Sequence, residues 1–270
     1  MKRVVIAIIC LIFILAIPVI GLPVYAKSIP DVYGQTYLAA MADKHDRLHS
    51  LDGKKIILVG GSSMAFGIDS KAIEKEIGMS VVNMGLYAAL GSKTTLDLTE
   101  SGIKKGDIVV FAPEMDTQAY SLYTDAQIML QTLEAKRSMI SDIPLKEWAG
   151  LFNALPQYVS ESKKLASSGI PEPTNAYSRS AFDGYGDNVY ERPYNVMPDM
   201  YLSSNKIEIS DKLIDKEFIQ YINDYAKRVK KKGAAFYFSF PPMNRLALTE
   251  DSYENRLKVY KALSEKHDCD

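Results

Sequence analysis

The sequence predicts an α/β protein built on a mostly parallel sheet. Three observations support this prediction. Short continuous apolar runs bounded by glycines are typical of buried parallel strands. Segments with helical periodicity alternate with these runs, and the connections between them are short, which favours right-handed βαβ crossovers. The 270 residues are 47% apolar, which is enough for a large core.

The alternation begins after residue 54. In order, the sequence predicts a strand at 56–59, a helix at 71–77, a strand at 81–82, a helix at 91–101 and a strand at 108–111. Asp69 or Ser70 is a suitable N-cap for the first helix, and Gly78 and Gly102 are suitable ends for the two helices.

The pattern is interrupted over residues 117–205, which we interpret as an insertion. Helical periodicity covers 118–139 and 145–165, and residues 167–205 are rich in Gly, Pro, Ser, Asn and Tyr. A loop of that length in a compact domain has two interpretations. It is an excursion that packs its own aromatic side chains, or it is a wall over a cleft whose tyrosines stack on a sugar-like ligand.

The alternation resumes with an amphipathic helix from residue 211 to 232, acidic at its start and rich in lysine at its end. A fourth strand at 234–240 and a helix at 251–266 follow. Together these elements predict a three-layer α/β/α, flavodoxin-like domain with a helical and loop insertion.

The N-terminus predicts export. Lys2 and Arg3 precede residues 4–26, which are uncharged and long enough for a bilayer core that needs about 20 residues. A signal anchor is favoured because the stretch is longer than a typical h-region, and a cleaved signal peptide ending at Ala26 is the alternative. We therefore predict a single-pass cell-membrane protein with an extracellular C-terminal part. Its units are 1–26, a stalk and lead-in helix at 27–53, and the α/β domain at 54–270.

Composition narrows the function classes. The formal charge is −1 without a basic block, so a nucleic-acid partner is not expected. The two cysteines lie at opposite ends of the chain and only three histidines are present, so neither a disulfide framework nor a metal site is predicted. The chain has neither a Walker loop nor a G-x-G-x-x-G motif, and no cofactor is expected.

Unusual residues follow each of the first three predicted strands. The stretches Gly60–Gly67 and Asn83–Gly91 consist largely of small residues, and Phe111–Asp116 ends in two carboxylates. Ligands of open parallel sheets gather beyond the carboxyl ends of the strands. A serine in the first stretch presents its hydroxyl where backbone N–H groups would stabilise an oxyanion.

These stretches, with Pro113-Glu114 and the later residues 177–182 and 185–187, resemble the SGNH (GDSL-like) hydrolase superfamily. Within it, the chain is similar to the membrane-anchored bacterial branch related to teichoic-acid D-alanylation and alginate O-acetylation proteins. The resemblance spans nearly the whole exported part.

The resemblance implies a serine nucleophile at Ser62 or Ser63. Ser62 is favoured because the strand then runs directly into the Gly60-Gly61-Ser62 triplet. The other implied site residues are oxyanion donors at Gly85, Ala88 and Ala89, cleft residues Asn83, Glu114 and Asp116, and a substrate wall at Arg179 and Tyr185. Glu114 departs from the asparagine that often stands in the third block of the family.

A second departure concerns the acid and base. In the family a D-x-x-H pair follows a final strand, and this sequence ends where that strand is expected. The chain is therefore either truncated before its triad or a non-catalytic relative. The first hypothesis is a serine esterase or acyltransferase for O-acyl groups of a cell-envelope glycan, inactive as given. The second is a binding or assembly protein for a cell-envelope polymer.

Overall fold

The computed structural model describes residues 29–169, 175–191 and 206–264, together with Lys2, Val5, Ile6 and Tyr25. It is an α/β protein with a four-stranded sheet, and every pair of neighbouring strands is parallel. The strands are β1 (Lys55–Gly60), β2 (Ser80–Asn83), β3 (Ile108–Ala112) and β4 (Ala235–Phe238). Their order in the sheet is β2-β1-β3-β4, so the predicted α/β class with a parallel sheet is confirmed.

Helices connect and flank the strands. In chain order they are α1 (Ala40–Ser50), α2 (Ser62–Gly67), α3 (Ser70–Ile77), α4 (Ser92–Glu100), α5 (Ala126–Glu134), α6 (Leu145–Ser168), α7 (Lys216–Lys231) and α8 (Ser252–Ser264). As predicted, Asp69 caps α3 by accepting the N–H of Ala72 at 2.8 Å. Gly78 ends α3 with the positive φ of 71° that glycine adopts without strain.

Alternate side chains of β1 enter two different cores. Ile57 and Val59 pack in the larger core, to which α4, α5 and α7 contribute apolar side chains. Ile56 and Leu58 pack in a smaller core with Ile73 of α3. The sheet is therefore covered by helices on both faces around β1, which explains why this strand is a continuous apolar run and not an alternating one.

The register places three strand ends at one edge of the sheet. Leu58 of β1 is paired with Asn83, the last residue of β2. Gly60, the last residue of β1, is paired with Ala112, the last residue of β3. The turns that follow these strands consequently leave the sheet side by side, which is where the sequence predicts a site.

Two predicted helices differ in extent from those observed. The helix predicted at 118–139 is wrong over its first part, because Asp125 accepts the N–H groups of Gln127 and Ile128 and starts α5 only at Ala126. The helix predicted from residue 211 begins at Lys216, after one separate 3₁₀ turn. The helix predicted at 145–165 is confirmed as α6, which runs through Pro156.

Several predictions fall outside the described residues. The anchor predicted for residues 4–26 lies almost entirely there, as do residues 192–205 of the insertion and the C-terminal 265–270. Among the described residues, no helix combines the length and the apolar character that crossing a membrane requires.

A buried ion pair fixes the end of the sheet opposite the strand tips just described. The Lys55 ammonium lies 2.8 Å from the Asp107 carboxylate, and both side chains are fully buried. The carboxylate also accepts the N–H of Lys55 at 3.1 Å and that of Lys104 at 2.8 Å. These hydrogen bonds join the start of β1 to the turn that precedes β3.

We expect Asp107→Ala to lower the free energy of unfolding by about 3–5 kcal/mol, because it leaves a buried ammonium without its partner. Urea unfolding followed by circular dichroism measures the change. Asp52→Ala is the control, since Asp52 is exposed and lies 3.7 Å from the Lys104 ammonium, and it should leave the midpoint unchanged. A loss below about 1 kcal/mol for Asp107→Ala would contradict the buried pair.

Candidate functional site

The turn after β1 lies against the tip of β3. A Cβ atom at Gly60 would overlap the carbonyl oxygen of Ala112, and one at Gly61 would overlap the carboxyl group of Glu114. Glycine is therefore needed at position 60 for the two strand tips to come this close, and glycine at position 61 leaves room for the Glu114 carboxyl group. Ser62 follows as the first residue of α2.

The predicted serines and Glu114 meet at this point. The Ser63 N–H donates to Oε1 of Glu114 at 2.8 Å, and the Ser62 hydroxyl donates to the same oxygen at 3.5 Å. All three residues are partly exposed, so the group is reachable from solvent. The structure thus brings together a hydroxyl and a carboxylate that lie about fifty positions apart in the sequence.

Burial raises the pKa of the Glu114 carboxyl group above its ordinary value. Hydrogen bonding from Ser63 opposes this shift, because it favours the ionised form. The negative charge of Asp116 adds to the rise. Glu114 therefore holds its proton more tightly than an exposed glutamate does.

The turn after β2 packs directly on the serine turn. Asn83 is fully buried, and its amide donates to the carbonyl of Met64 at 2.8 Å. Its side-chain oxygen accepts the N–H of Gly85 at 2.9 Å. A Cβ at Gly85 would lie 2.5 Å from Cβ of Met64. Asn83 therefore holds the serine turn in place from inside the protein. The Gly85 N–H, which the sequence predicted as an oxyanion donor, is already used in the hydrogen bond to Asn83.

The other predicted site residues of these turns take separate positions. Ala88 and Ala89 are partly exposed and begin a 3₁₀ turn, Ala88–Leu90. Asp116 accepts the N–H of Ala119 at 2.8 Å, and its own N–H donates to the Glu114 carbonyl at 3.0 Å. Asp116 thus stabilises the loop after β3 and acts on Glu114 through its charge.

The two residues predicted as a substrate wall attach the insertion to the domain. Arg179 donates to both carboxylate oxygens of Asp43 in α1, at 2.7 and 2.6 Å. The ring of Tyr185 lies under the guanidinium of Arg47, 4.4 Å from its centroid, and the Tyr185 carbonyl accepts the N–H of Asn83 at 2.9 Å. Residues 175–191 are consequently fixed beside the end of β2.

An aromatic cluster lies at the site, formed by Tyr37, Phe66, Tyr87, Tyr177 and Phe182. The sequence had indicated tyrosines of the insertion as a possible wall, but it had not indicated that they join Tyr37, Phe66 and Tyr87. The Tyr37 ring is central, with centroids 6.0 Å from Phe66, 6.2 Å from Tyr87 and 5.7 Å from Tyr177. Tyr37 is buried, whereas Tyr177 is 64% exposed and Tyr87 is 43% exposed. The cluster therefore offers two aromatic side chains to solvent.

The aromatic cluster adjoins the serine turn. Phe66 belongs to α2, one helical turn after Ser62. The Tyr37 hydroxyl donates to the Leu86 carbonyl in the turn after β2. The pKa of Tyr37 is raised by burial and then by the nearby negative charge of Glu114. Tyr87 lies within a stretch that the sequence had singled out, but nothing in the pattern linked it to Tyr37.

The described histidines lie elsewhere. His45 contacts Asp142 at 2.8 Å and accepts from the Lys136 ammonium at 2.8 Å. His49 donates to the His45 carbonyl at 2.9 Å and lies 3.1 Å from the Ser101 hydroxyl. Neither ring hydrogen-bonds to Ser62 or Ser63. The third histidine, His267, is outside the described residues.

A separate cleft of about 780 Å³ runs between α4, α7 and the start of α6, and none of its lining residues belongs to the serine turn. Its most buried charges are paired. The Lys93 ammonium lies 2.6 Å from Asp97 and 3.1 Å from Glu147, and the Tyr221 hydroxyl donates to Asp97 at 2.7 Å. Size would favour this cleft as a ligand site, but its most buried charges already have partners.

Comparison of the chain with protein-family models, with curated proteins and with solved structures finds no match. Within the described part of the chain, no three His, Cys, Asp or Glu side chains are grouped as a metal site would require.

A buried lysine joins the insertion to the floor of the site. The Lys44 ammonium donates to the Asn83 carbonyl at 2.9 Å and to the Gly186 carbonyl, and it lies 4.6 Å above the Phe182 ring. Burial lowers the pKa of Lys44 to about 7, although the negative charges of Asp187, Asp183 and Asp43 oppose this.

The lowered pKa predicts a stability effect between pH 7 and 10. Over this range the unfolded lysine binds a proton that the folded one releases, so the free energy of unfolding should rise with pH relative to Lys44→Met, by up to about 1.4 kcal/mol per pH unit. Urea titrations at several pH values measure this difference. Lys71→Met, at an exposed position of α3, is the control. A flat difference for Lys44→Met would contradict the lowered pKa.

Proposed function

We propose that this protein is an exported, membrane-anchored serine esterase or acyltransferase of the SGNH type, acting on O-acyl groups of a cell-envelope glycan. In this proposal the α/β domain has the three-layer, flavodoxin-like arrangement of that superfamily. The observation that carries the proposal is the meeting of Ser62, at the tip of β1, with Glu114, at the tip of β3.

The position of the serines supports acyl transfer. Ser62 and Ser63 follow a buried strand at the edge where three strand ends converge, and they remain partly exposed. Ester transfer through a serine needs a reachable hydroxyl, a proton acceptor and hydrogen-bond donors for the developing oxyanion. Of these three, the hydroxyl and a carboxylate that can accept its proton are present together.

The aromatic cluster supports a carbohydrate substrate. Tyr87 and Tyr177 are both exposed and both pack on Tyr37, next to the serine turn. Aromatic rings present flat apolar faces with polar edges, which suit the apolar C–H face of a sugar ring. A glycan bound there would place its acyl groups near Ser62.

A binding protein without turnover is the second candidate. It is favoured by the positions of the described histidines, since neither His45 nor His49 contacts the serine turn. Under this candidate, Tyr87 and Tyr177 would hold the polymer and the serines would only contact it.

A fluorophosphonate probe separates the two candidates, because it reacts covalently with an activated serine. We expect the wild-type protein to be labelled, Ser63→Ala to be labelled and Ser62→Ala to lose the label. Peptide mass spectrometry then locates the adduct.

Ser101→Ala is the matched control, since Ser101 is exposed and lies beside a histidine away from the site. It should leave labelling unchanged. If only Ser63→Ala loses the label, Ser63 is the nucleophile. An unlabelled wild-type protein would support the binding candidate.

We expect Tyr177→Ala to slow the release of acetate from penta-O-acetylglucose about fivefold, in line with the loss of about 1 kcal/mol of aromatic contact. Hydrolysis of p-nitrophenyl acetate, which lacks a sugar ring, should be unaffected. Tyr253→Ala, an equally exposed tyrosine in α8, serves as the control. Equal losses on both esters would argue against sugar stacking at Tyr177.

A further inference from the structure

We propose that Glu114 is the general base that removes the proton from Ser62. This role rests on the proposed function, and it assigns the acid–base work to a carboxylate of β3 in place of a histidine.

The geometry places one carboxylate oxygen at the serine. Oε1 of Glu114 lies 3.5 Å from the Ser62 hydroxyl, at the outer limit of a hydrogen bond. Such contacts are often long in a free enzyme and shorten when the substrate binds. The same oxygen accepts the Ser63 N–H at 2.8 Å, which holds the carboxylate in place. The absence of a Cβ at Gly61 creates the space that the carboxyl group occupies.

The surroundings suit a base. The titratable groups that face Glu114 are Asp116 on the same loop, Tyr37 in the segment before α1, and Tyr120 beyond the loop. No basic side chain of the described residues is paired with this carboxylate. An unpaired, partly buried carboxylate is a stronger proton acceptor than an exposed one, and a catalytic base works best when its pKa approaches the working pH.

The reaction balances with these groups and water. Glu114 takes the Ser62 proton while the serine oxygen bonds to the acyl carbon, and the protonated Glu114 then donates to the departing sugar oxygen. The ester bond breaks, leaving an acyl-serine and a free sugar hydroxyl. A water or an acceptor hydroxyl next loses its proton to Glu114 and attacks the acyl carbon, and the proton returns to Ser62 as the acyl group leaves.

The test is the pH profile of p-nitrophenyl acetate hydrolysis by the full chain. The kcat/KM should rise with pH to a plateau as Glu114 ionises. Glu114→Gln should lower the plateau about 10²–10⁴-fold, the usual contribution of a general base. Glu114→Asp, whose carboxylate is withdrawn from Ser62, should retain a pH-dependent fraction of the activity. Asp116→Asn should move the midpoint to lower pH, because it removes a negative charge that faces Glu114.

Glu114→Gln keeps a side-chain oxygen that accepts the Ser63 N–H, so its thermal midpoint should stay close to that of wild type. Glu254→Gln, in an exposed position of α8, is the control and should behave as wild type.

The outcomes separate this inference from the proposed function. If Ser62→Ala abolishes hydrolysis while Glu114→Gln retains the wild-type rate and profile, Glu114 is not the base and the serine function stands. If Ser62→Ala retains the wild-type rate and Ser63→Ala loses it, the inference about Glu114 and Ser62 is overturned and the serine function passes to Ser63. If both serine variants retain the wild-type rate, or if the wild-type protein neither hydrolyses the ester nor reacts with the fluorophosphonate, both proposals are overturned. If the thermal midpoint of Glu114→Gln falls well below that of wild type, and Glu114→Asp also loses its activity, Glu114 is only structural.

Discussion

The close approach of β1 and β3 at their carboxyl ends is the constraint on which the rest of the site depends. Their register pairs Gly60 with Ala112, so the next residues of each strand must share a small space. Gly61 has no side chain, and the Glu114 carboxyl group occupies the position that a Cβ atom would take. Ser62 and Ser63 are thereby placed against Oε1 of Glu114.

The insertion extends this arrangement outward. Asp187 accepts from the Ser70 N–H and hydroxyl and from the Asn83 amide, and Arg179 is clamped to Asp43. The contacts of Asp187 are charge-assisted hydrogen bonds between buried groups, and the Arg179–Asp43 pair is bidentate, so both define position more sharply than apolar packing does. The segment that carries Tyr177 is therefore fixed beside the serine turn, and its aromatic side chain joins a wall with Tyr37 and Tyr87.

Sequence patterns predicted the parallel sheet and the convergence of three strand tips well, because continuous apolar runs report burial on both faces of a sheet. They failed where a local hydrogen bond overrides periodicity, as at Asp125, which delays the start of α5. At the site, they identified Ser62, Ser63 and Glu114 as neighbours of strand ends. They did not indicate that Asn83 is buried or that Arg179 and Tyr185 attach the insertion to the domain. Nor did they indicate that Tyr37 is part of the aromatic cluster. These facts depend on contacts between residues far apart in the chain.

The hydrogen bonds of Asp187 have a consequence for how the molecule folds. They span 104 residues to Asn83 and 117 residues to Ser70, so forming them closes very long loops. Contacts between residues so far apart in the sequence form slowly, because the chain loses the entropy of loop closure before the contact provides any stabilisation. We therefore expect the βαβ units around β1 to form before residues 175–191 attach to them through Asp187.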